Sequence, residues 1–283
     1  MLIYCSKNQL DPVYPIIYVD SLRGMPSLNF PDKNLFGIFA FRRNFTRELL
    51  LLYSTNETVF SWKTVLNELY IRGLKDIKLI IHSNIKGLNS EVGQIYTNTD
   101  FQFSINDVKT RLFELVTSNH RLELAESIGS VFTSDRIDDT YHQGWERWQR
   151  FCEQWEKKYS EFGILANQDI YKFCFTYLKY DKKVWEPLVK ISRIDPLQST
   201  SNGSLTIWRP GENHLSYIQR LSTMFNSEKT KMISDKQLLR HDLGVLMNMP
   251  PQKVISTETD EKKHIREKIY SVGSAFKKHL KLA

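Results

Sequence analysis

Apolar positions come first in short runs and later at helical spacing. Residues 14–20 (YPIIYVD) are β-branched or aromatic up to a closing carboxylate, which suits a strand buried on both faces. Residues 34–41 (NLFGIFAF) and 48–53 (ELLLLY) predict two further strands, with Arg42, Arg43 and Asn44 near the turn between them. Together the three runs make a meander. Over 59–72, Val59, Trp62, Val65, Leu66 and Leu69 share one helical face, and Gly73 suits the cap beyond it. Residues 77–82 (IKLIIH) predict a fourth strand, 85–96 a helix, 101–105 a short fifth strand and 108–117 another helix. Residues 1–13 carry little pattern and read as a lead-in to the first strand.

Three strands, a helix, a strand, a helix and a strand is the element order of the ribonuclease-H-like fold. The expected architecture is therefore α/β, with a mixed five-stranded sheet. In 118–190 the character changes. Trp145, Trp148, Phe151, Cys152 and Trp155 recur at helical spacing, 171–180 is aromatic and apolar, and Trp185 follows. This region reads as an all-helical subdomain inserted into the core, its aromatic stripe serving packing rather than base stacking. Residues 200–211 read as a loop. Ser234 and Gln237 predict a capping box opening a helix over 235–247, stopped by Pro250 and Pro251, and 260–280 predicts a basic amphipathic helix. The expected organisation is 1–117 as the first part of the core, 118–190 as the insertion, 191–250 as the end of the core and 251–283 as a basic helical tail.

Composition narrows the class. The chain has 283 residues, 41% of them hydrophobic and 12% aromatic, which excludes a disordered protein and leaves ample core. No apolar run has the length needed to span a bilayer, and the start LIYCSKNQLD is not a secretory signal, so no membrane partner is expected. Cys5, Cys152 and Cys174 are odd in number and widely spaced, which favours a reducing compartment over a disulfide frame or a zinc site. The net charge of +7 is uneven: from Thr200 onward there are 14 Lys and Arg against 8 Asp and Glu. Such a bias fits contact with a polyanion, and it equally fits a solvated helical tail.

Asp20 is the first position that suggests chemistry. A charge closing a central strand needs solvent, a partner or a metal, and ligands of open α/β sheets collect at the carboxyl ends of strands. A strand-end cap or turn residue is the plainer reading of the same position.

Beyond these patterns, the run YPIIYVD, then NELYIRGLKDIKLIIHSNIKGL, then QFSIND resembles the catalytic core of the Mutator-type bacterial insertion-sequence transposases, which reads YPxxxLD, LxxRGLKDixLxxxDGLKGF and QxCxxH. EQWEKKY resembles that family's insertion segment, SRIDPL its segment around the last acid, and ISDKQLLRHDLGVLMN the helix that follows. The likeness covers about residues 14–250, and RGLKDI with the later KG is its most specific part. It implies a DDE enzyme of DNA transposition, in which three acids hold two Mg²⁺ or Mn²⁺ ions for in-line attack on phosphodiesters. Anionic ligands are needed because two divalent ions close together repel, and carboxylates with phosphate oxygens offset that charge. Carried over by position, the catalytic places fall on Asp20, Ser83 and Asp195, with Asp20 and Asp195 as metal ligands. DNA at insertion-sequence ends is the implied partner, together with a second copy or a related transposase subunit. The implied setting is the bacterial cytoplasm, at the nucleoid.

The departures from the family pattern cluster at the chemistry. Ser83 is neutral where the second acid belongs, and neither His82 nor Asn84 beside it offers a negative oxygen. At 195 an Asp stands for the family's Glu, with Pro196 next to it disfavouring helical geometry. The family's Cys and His fall on Ser104 and Asp107, and its basic residues after the last acid fall on the uncharged QSTSNG of 198–203. Full members carry a DNA-binding region ahead of the first catalytic strand, and this chain starts almost at that strand. The expectation is a truncated remnant with impaired catalysis. A catalytically silent DNA-binding or regulatory derivative is the first alternative, and an unrelated ribonuclease-H-like nuclease or structural protein the second. Arg23 reads as an ordinary turn charge and Lys86 as a solvated helix start. Asp76 lies at the wrong end of its strand, Asp107 stays open as a replacement acid, and Glu91 and Asp100 read as surface residues.

Overall fold

A strand of nine residues, β2 (Val13–Ser21), lies inside a six-stranded sheet with three strands on one side of it and two on the other. The computed structural model describes residues 2–5, 9–21, 34–55, 62–83, 85, 87–133, 139–191, 216, 219–220, 223 and 240–250. β3 (Asn34–Phe41) runs antiparallel to β2, and β4 (Arg47–Thr55) antiparallel to β3, with a register shift between Ile38 and Phe39. On the other side β5 (Asp76–His82) is parallel to β2, and β6 (Asp100–Phe103) is parallel to β5. The order over these five strands is thus β4-β3-β2-β5-β6, one mixed sheet as expected.

One strand was not expected. β1 (Leu2–Cys5) adds to the outer edge of β4, antiparallel, with Leu2 opposite Ser54, so the sheet has six strands rather than five. Four residues are too few to display a period, and an edge strand needs only one pairing partner.

Helices cover both faces. Ile17 and Val19 of β2 share a core with Trp62, Val65, Leu66 and Leu69 of α1 (Trp62–Ile71) and with Leu88 and Val92 of α2 (Leu88–Ile95). Ile16 and Tyr18 point the other way, into a core with Val108 and Leu112 of α3 (Ile105–Leu115) and the helices after it. This alternation explains why β2 reads as continuously apolar: each side chain has a buried face, and each is worth roughly 1.5–3 kcal/mol in burial.

Helix α3 opens earlier than the spacing predicts. Ser104 is buried as its N-cap and accepts from the Asp107 N–H, so Ser104 and Ile105 leave the strand expected over 101–105. Next come α4 (Arg121–Val131), α5 (Tyr141–Glu156), α6 (Glu161–Ala166), a 3₁₀ run at Asp169–Lys179 and α7 (Trp185–Lys190). The capping box of α5 is Thr140 with Gln143. Its aromatic stripe packs inward: Trp148 stacks on Tyr171 at 4.8 Å and Trp155 on Phe162 at 5.7 Å. Arg147, on the buried face of α5, pairs with both carboxylate oxygens of Asp139 and donates from Nε to the Val131 carbonyl.

A short helix, Leu243–Leu246, closes the described chain. Asp242 caps it by accepting from the Gly244 and Val245 N–H groups, so the helix starts there, inside the stretch predicted as one helix over 235–247. Ser234, Gln237 and residues 251–283 lie outside the described residues. Arg43 pairs with Asp242 at 3.1 Å, and Leu243 N donates to the Arg43 carbonyl, which docks this segment on the turn between β3 and β4. The described residues up to Met249 belong to one compact unit.

Candidate functional site

Parallel pairing brings three carboxyl strand ends into line. The register sets Val19 opposite His82 and His82 opposite Phe103. One step further along, Asp20, Ser83 and Ser104 form a row across β2, β5 and β6, and the Ser104 N–H donates to the His82 carbonyl at 2.9 Å to hold it. With strands about 4.8 Å apart, neighbours in the row lie about 5 Å apart and its ends about 10 Å apart at Cα. Asp20 is 1% exposed, still within its strand and paired with Gly37 across β3. Alternation from Tyr18 puts its carboxylate on the face covered by α3 and the later helices. Gly37 leaves little room there: a Cβ on it would come within 2.5 Å of the Phe39 ring.

Ser83 follows β5 directly and is half-buried. The turn beyond it is set by His82. That ring is buried, and its Nδ1 accepts from the Ile85 N–H at 3.2 Å. Burial pushes the imidazole down to about 4, so the ring is neutral at ordinary pH and Nδ1 keeps its lone pair for that bond. Gly87 then enters α2 with φ +81°, a left-handed conformation that a side chain would strain. That geometry is the physical reason for a glycine in the KG pair.

Asp107 lies in the first turn of α3, three residues past Ser104 and hence at the same sheet end as Asp20. Asp76 opens β5 opposite Val13, at the other end. Asp195, the place of the third acid, lies outside the described residues, as do Arg23, Asn84 and Lys86. Asp100 is not the surface residue that its polarity suggests. Lys179 and Tyr180 donate to it at 2.9 Å and 2.8 Å, and Lys78 stands 3.6 Å away. Burial would raise its carboxyl, but these partners outweigh burial and hold it below the ordinary carboxylate value. Glu91, in the first turn of α2, is half-buried, with an Oε2 enclosed by protein.

A family model, "Transposase, Mutator family", matches residues 39–230. The chain belongs to the Mutator family of transposases. A curated relative, the transposase for insertion sequence element IS905 of Lactococcus lactis subsp. lactis (strain IL1403), is 21% identical over 143 residues. That match covers 50% of this chain and 35% of the relative, so the two share about a third of the relative's length. The family match takes in Ser83 and Asp195, while Asp20 lies ahead of it. Asp20 therefore rests on its strand-end geometry and on the YPIIYVD likeness.

The donor chemistry of this corner is one-sided. Among the described residues no group of three or more His, Cys, Asp or Glu side chains is placed to hold a metal ion. Asp20 and Asp107 supply the carboxylates at this end, and Ser83, between β2 and β6 in the row, supplies a neutral hydroxyl. Gln102, one strand position before Phe103 on β6, gave no signal in sequence beyond its place in the QxCxxH pattern, yet it is buried and donates to the Leu188 carbonyl at 3.0 Å. No helix among the described residues is long and apolar enough to cross a membrane.

Proposed function

We propose that this chain is a transposase-type DNA-acting protein with a ribonuclease-H-like core, and that its phosphodiester chemistry is weakened at the second acid. The observation that carries this reading is the parallel register of Val19 with His82, which sets Ser83 beside Asp20 at the strand ends. On this reading Asp20 and Asp195 are the remaining metal ligands for Mg²⁺ or Mn²⁺, and Ser83 occupies the vacant catalytic place. A hydroxyl holds a water or a phosphate oxygen, but it adds no negative charge to offset a second divalent ion. When bound, the metal supplies Lewis-acid stabilisation of the reacting phosphate. Asp20 supplies a fixed anchor, since its strand is paired on both sides and its carboxylate is screened from bulk water.

DNA is the proposed partner, with a second copy or a related transposase subunit beside it, and the bacterial cytoplasm at the nucleoid is the proposed setting. Ser83, Pro196 and the uncharged 198–203 together favour a second reading, a silent derivative that regulates transposition by binding DNA. Strand-transfer assays on insertion-sequence ends separate the two. The first reading expects trace metal-dependent joining by the wild type, none by Asp20→Ala and more by Ser83→Asp; the silent derivative expects DNA binding and no joining from any of them. Robust joining by the wild type, abolished in Asp20→Ala, would mean that Asp107 or another group fills the vacancy and would overturn the weakened site.

A further inference from the structure

His82 is tied to its surroundings at two points. Its carbonyl accepts from the Ser104 N–H at 2.9 Å, and its Nδ1 accepts from the Ile85 N–H at 3.2 Å. The Ile85 carbonyl accepts in turn from the Leu88 N–H at 3.3 Å, which joins the turn to the first residue of α2. A neutral imidazole has one protonated nitrogen and one lone pair, so a ring that accepts at Nδ1 carries its proton on Nε2. Asn89, the second residue of α2, acts on this ring. Burial lowers the imidazole's pKa, and the Asn89 side chain opposes that by pulling it up. An upward pull is what a carboxamide oxygen exerts on a ring N–H, whereas an amide N–H would push the other way. The Asn89 Oδ1 is enclosed by protein and forms no close hydrogen bond among the described residues.

We propose that Asn89 is a positioning residue whose Oδ1 takes the His82 Nε2–H, locking the tautomer that receives the Ile85 N–H and so fixing the turn that presents Ser83 beside Asp20. An enclosed carbonyl oxygen and an enclosed ring N–H each cost free energy when left alone, and each is the kind of partner the other needs. The carboxamide has no competing task at the helix start, because α2 begins at Gly87 without a side-chain capping bond. The ring residue then joins three elements: α3 through its carbonyl, the turn through Nδ1 and α2 through Nε2. Ser83 follows it directly and Ser104 donates to it, so two of the three members of the row depend on where His82 is held. The opposite tautomer would set a ring N–H against the Ile85 N–H, two donors facing each other, and the turn would open. The value of this placement to metal binding rests on the proposed reading of the Asp20 corner, while the lock itself does not.

Nitrogen NMR of the full chain with labelled histidine tests the lock, with His82→Gln assigning the signals by deleting them. The wild-type ring should show a bare Nδ1 and a protonated Nε2, its proton slow to exchange with water and close in space to the Asn89 side chain. Asn89→Leu keeps the volume and removes the acceptor. In that variant the Nε2 proton and the Ile85 amide should each exchange about tenfold faster, the scale of one lost hydrogen bond, while the Leu51 and Leu52 amides of β4 stay unchanged. A proton on Nδ1 in the wild type, or an Nε2 proton and Ile85 amide untouched by Asn89→Leu, would overturn the lock. The second measurement is Mn²⁺ binding in a Ser83→Asp background, where adding Asn89→Leu should weaken affinity about tenfold, again the scale of one such bond. Affinity left unchanged while the ring loosens would overturn the positioning of the site. If Ser83→Asp alone bound no Mn²⁺, the metal assignment would fail, and the ring signals would still decide the lock.

Discussion

His82 closes β5 as a buried imidazole. Its ring is buried and neutral in the folded protein, and burial lowers its pKa to about 4 from an ordinary value near 6.5. For a base with a lowered folded-state pKa, the unfolded chain takes up the proton first. Stability from this residue is complete above the unfolded value and is lost as pH falls from about 6.5 toward 4. Between pH 7 and 5 the loss is about 2 kcal/mol. Urea unfolding of wild type and His82→Gln at both pH values checks it: the wild type should lose more stability than the variant by about that amount, and equal losses would mean that His82 does not carry the effect. Below that range the charged ring also gives up its bond from the Ile85 N–H, so the turn carrying Ser83 loosens first. Arg147 gives a second residue-scale expectation. It and Asp139 are both buried and hydrogen-bonded, so Arg147→Ala leaves a buried carboxylate alone and should cost about 3–5 kcal/mol in thermal or urea unfolding.

At the scale of elements, three glycines within helices respond oppositely to the same change. Gly144 faces the 3₁₀ run across α5, and a Cβ there would lie 2.5 Å from the Phe175 ring and 3.0 Å from Leu178. Gly144→Ala should therefore destabilise by about 1–3 kcal/mol despite its gain in helix propensity. Gly93 in α2 and Gly129 in α4 have nothing within 4 Å of an added Cβ, and Ala at either should stabilise by about 0.5–1 kcal/mol. Melting curves of the three single variants read the signs directly. The strands and α1 were legible in sequence because both sheet faces are buried and α1 has a complete apolar stripe. β1 was not, because four residues on an edge carry no period, and α3 starts earlier than its spacing suggests because Ser104 is at once the end of an apolar run and a cap. Of the candidate site, the strand-end place of Asp20 follows from the strand limits, while Ser83 is picked out only by the family likeness; the structure puts both at the carboxyl ends of neighbouring parallel strands. The network around Asp100 and the hold of Gln102 on Leu188 were not, because their partners lie about 80 residues away in sequence.

For the whole molecule, the helical region and the sheet share one extensive core, and the segment around Leu243 returns to the turn between β3 and β4. The sheet end bearing Asp20 and the end bearing Arg43 are therefore opposite poles of β2 and β3. The basic excess after Thr200 should supply most of any DNA affinity, which should be weak, tolerant of sequence and steeply reduced by salt. Removing residues 252–283 should lower binding at low salt; equal binding by the shortened chain would make that stretch a solvated surface only.

On the proposed reading, Ser83 leaves the Asp20 corner one charge short of a two-metal site. Calorimetric titration of Mn²⁺ into the wild type, Ser83→Asp and Asp20→Ala measures this most directly. At most one weakly bound ion is expected in the wild type, affinity about tenfold tighter or more in Ser83→Asp as the ligand charge rises, and no binding in Asp20→Ala. Two tightly bound ions in the wild type, lost on Asp20→Ala, would contradict it.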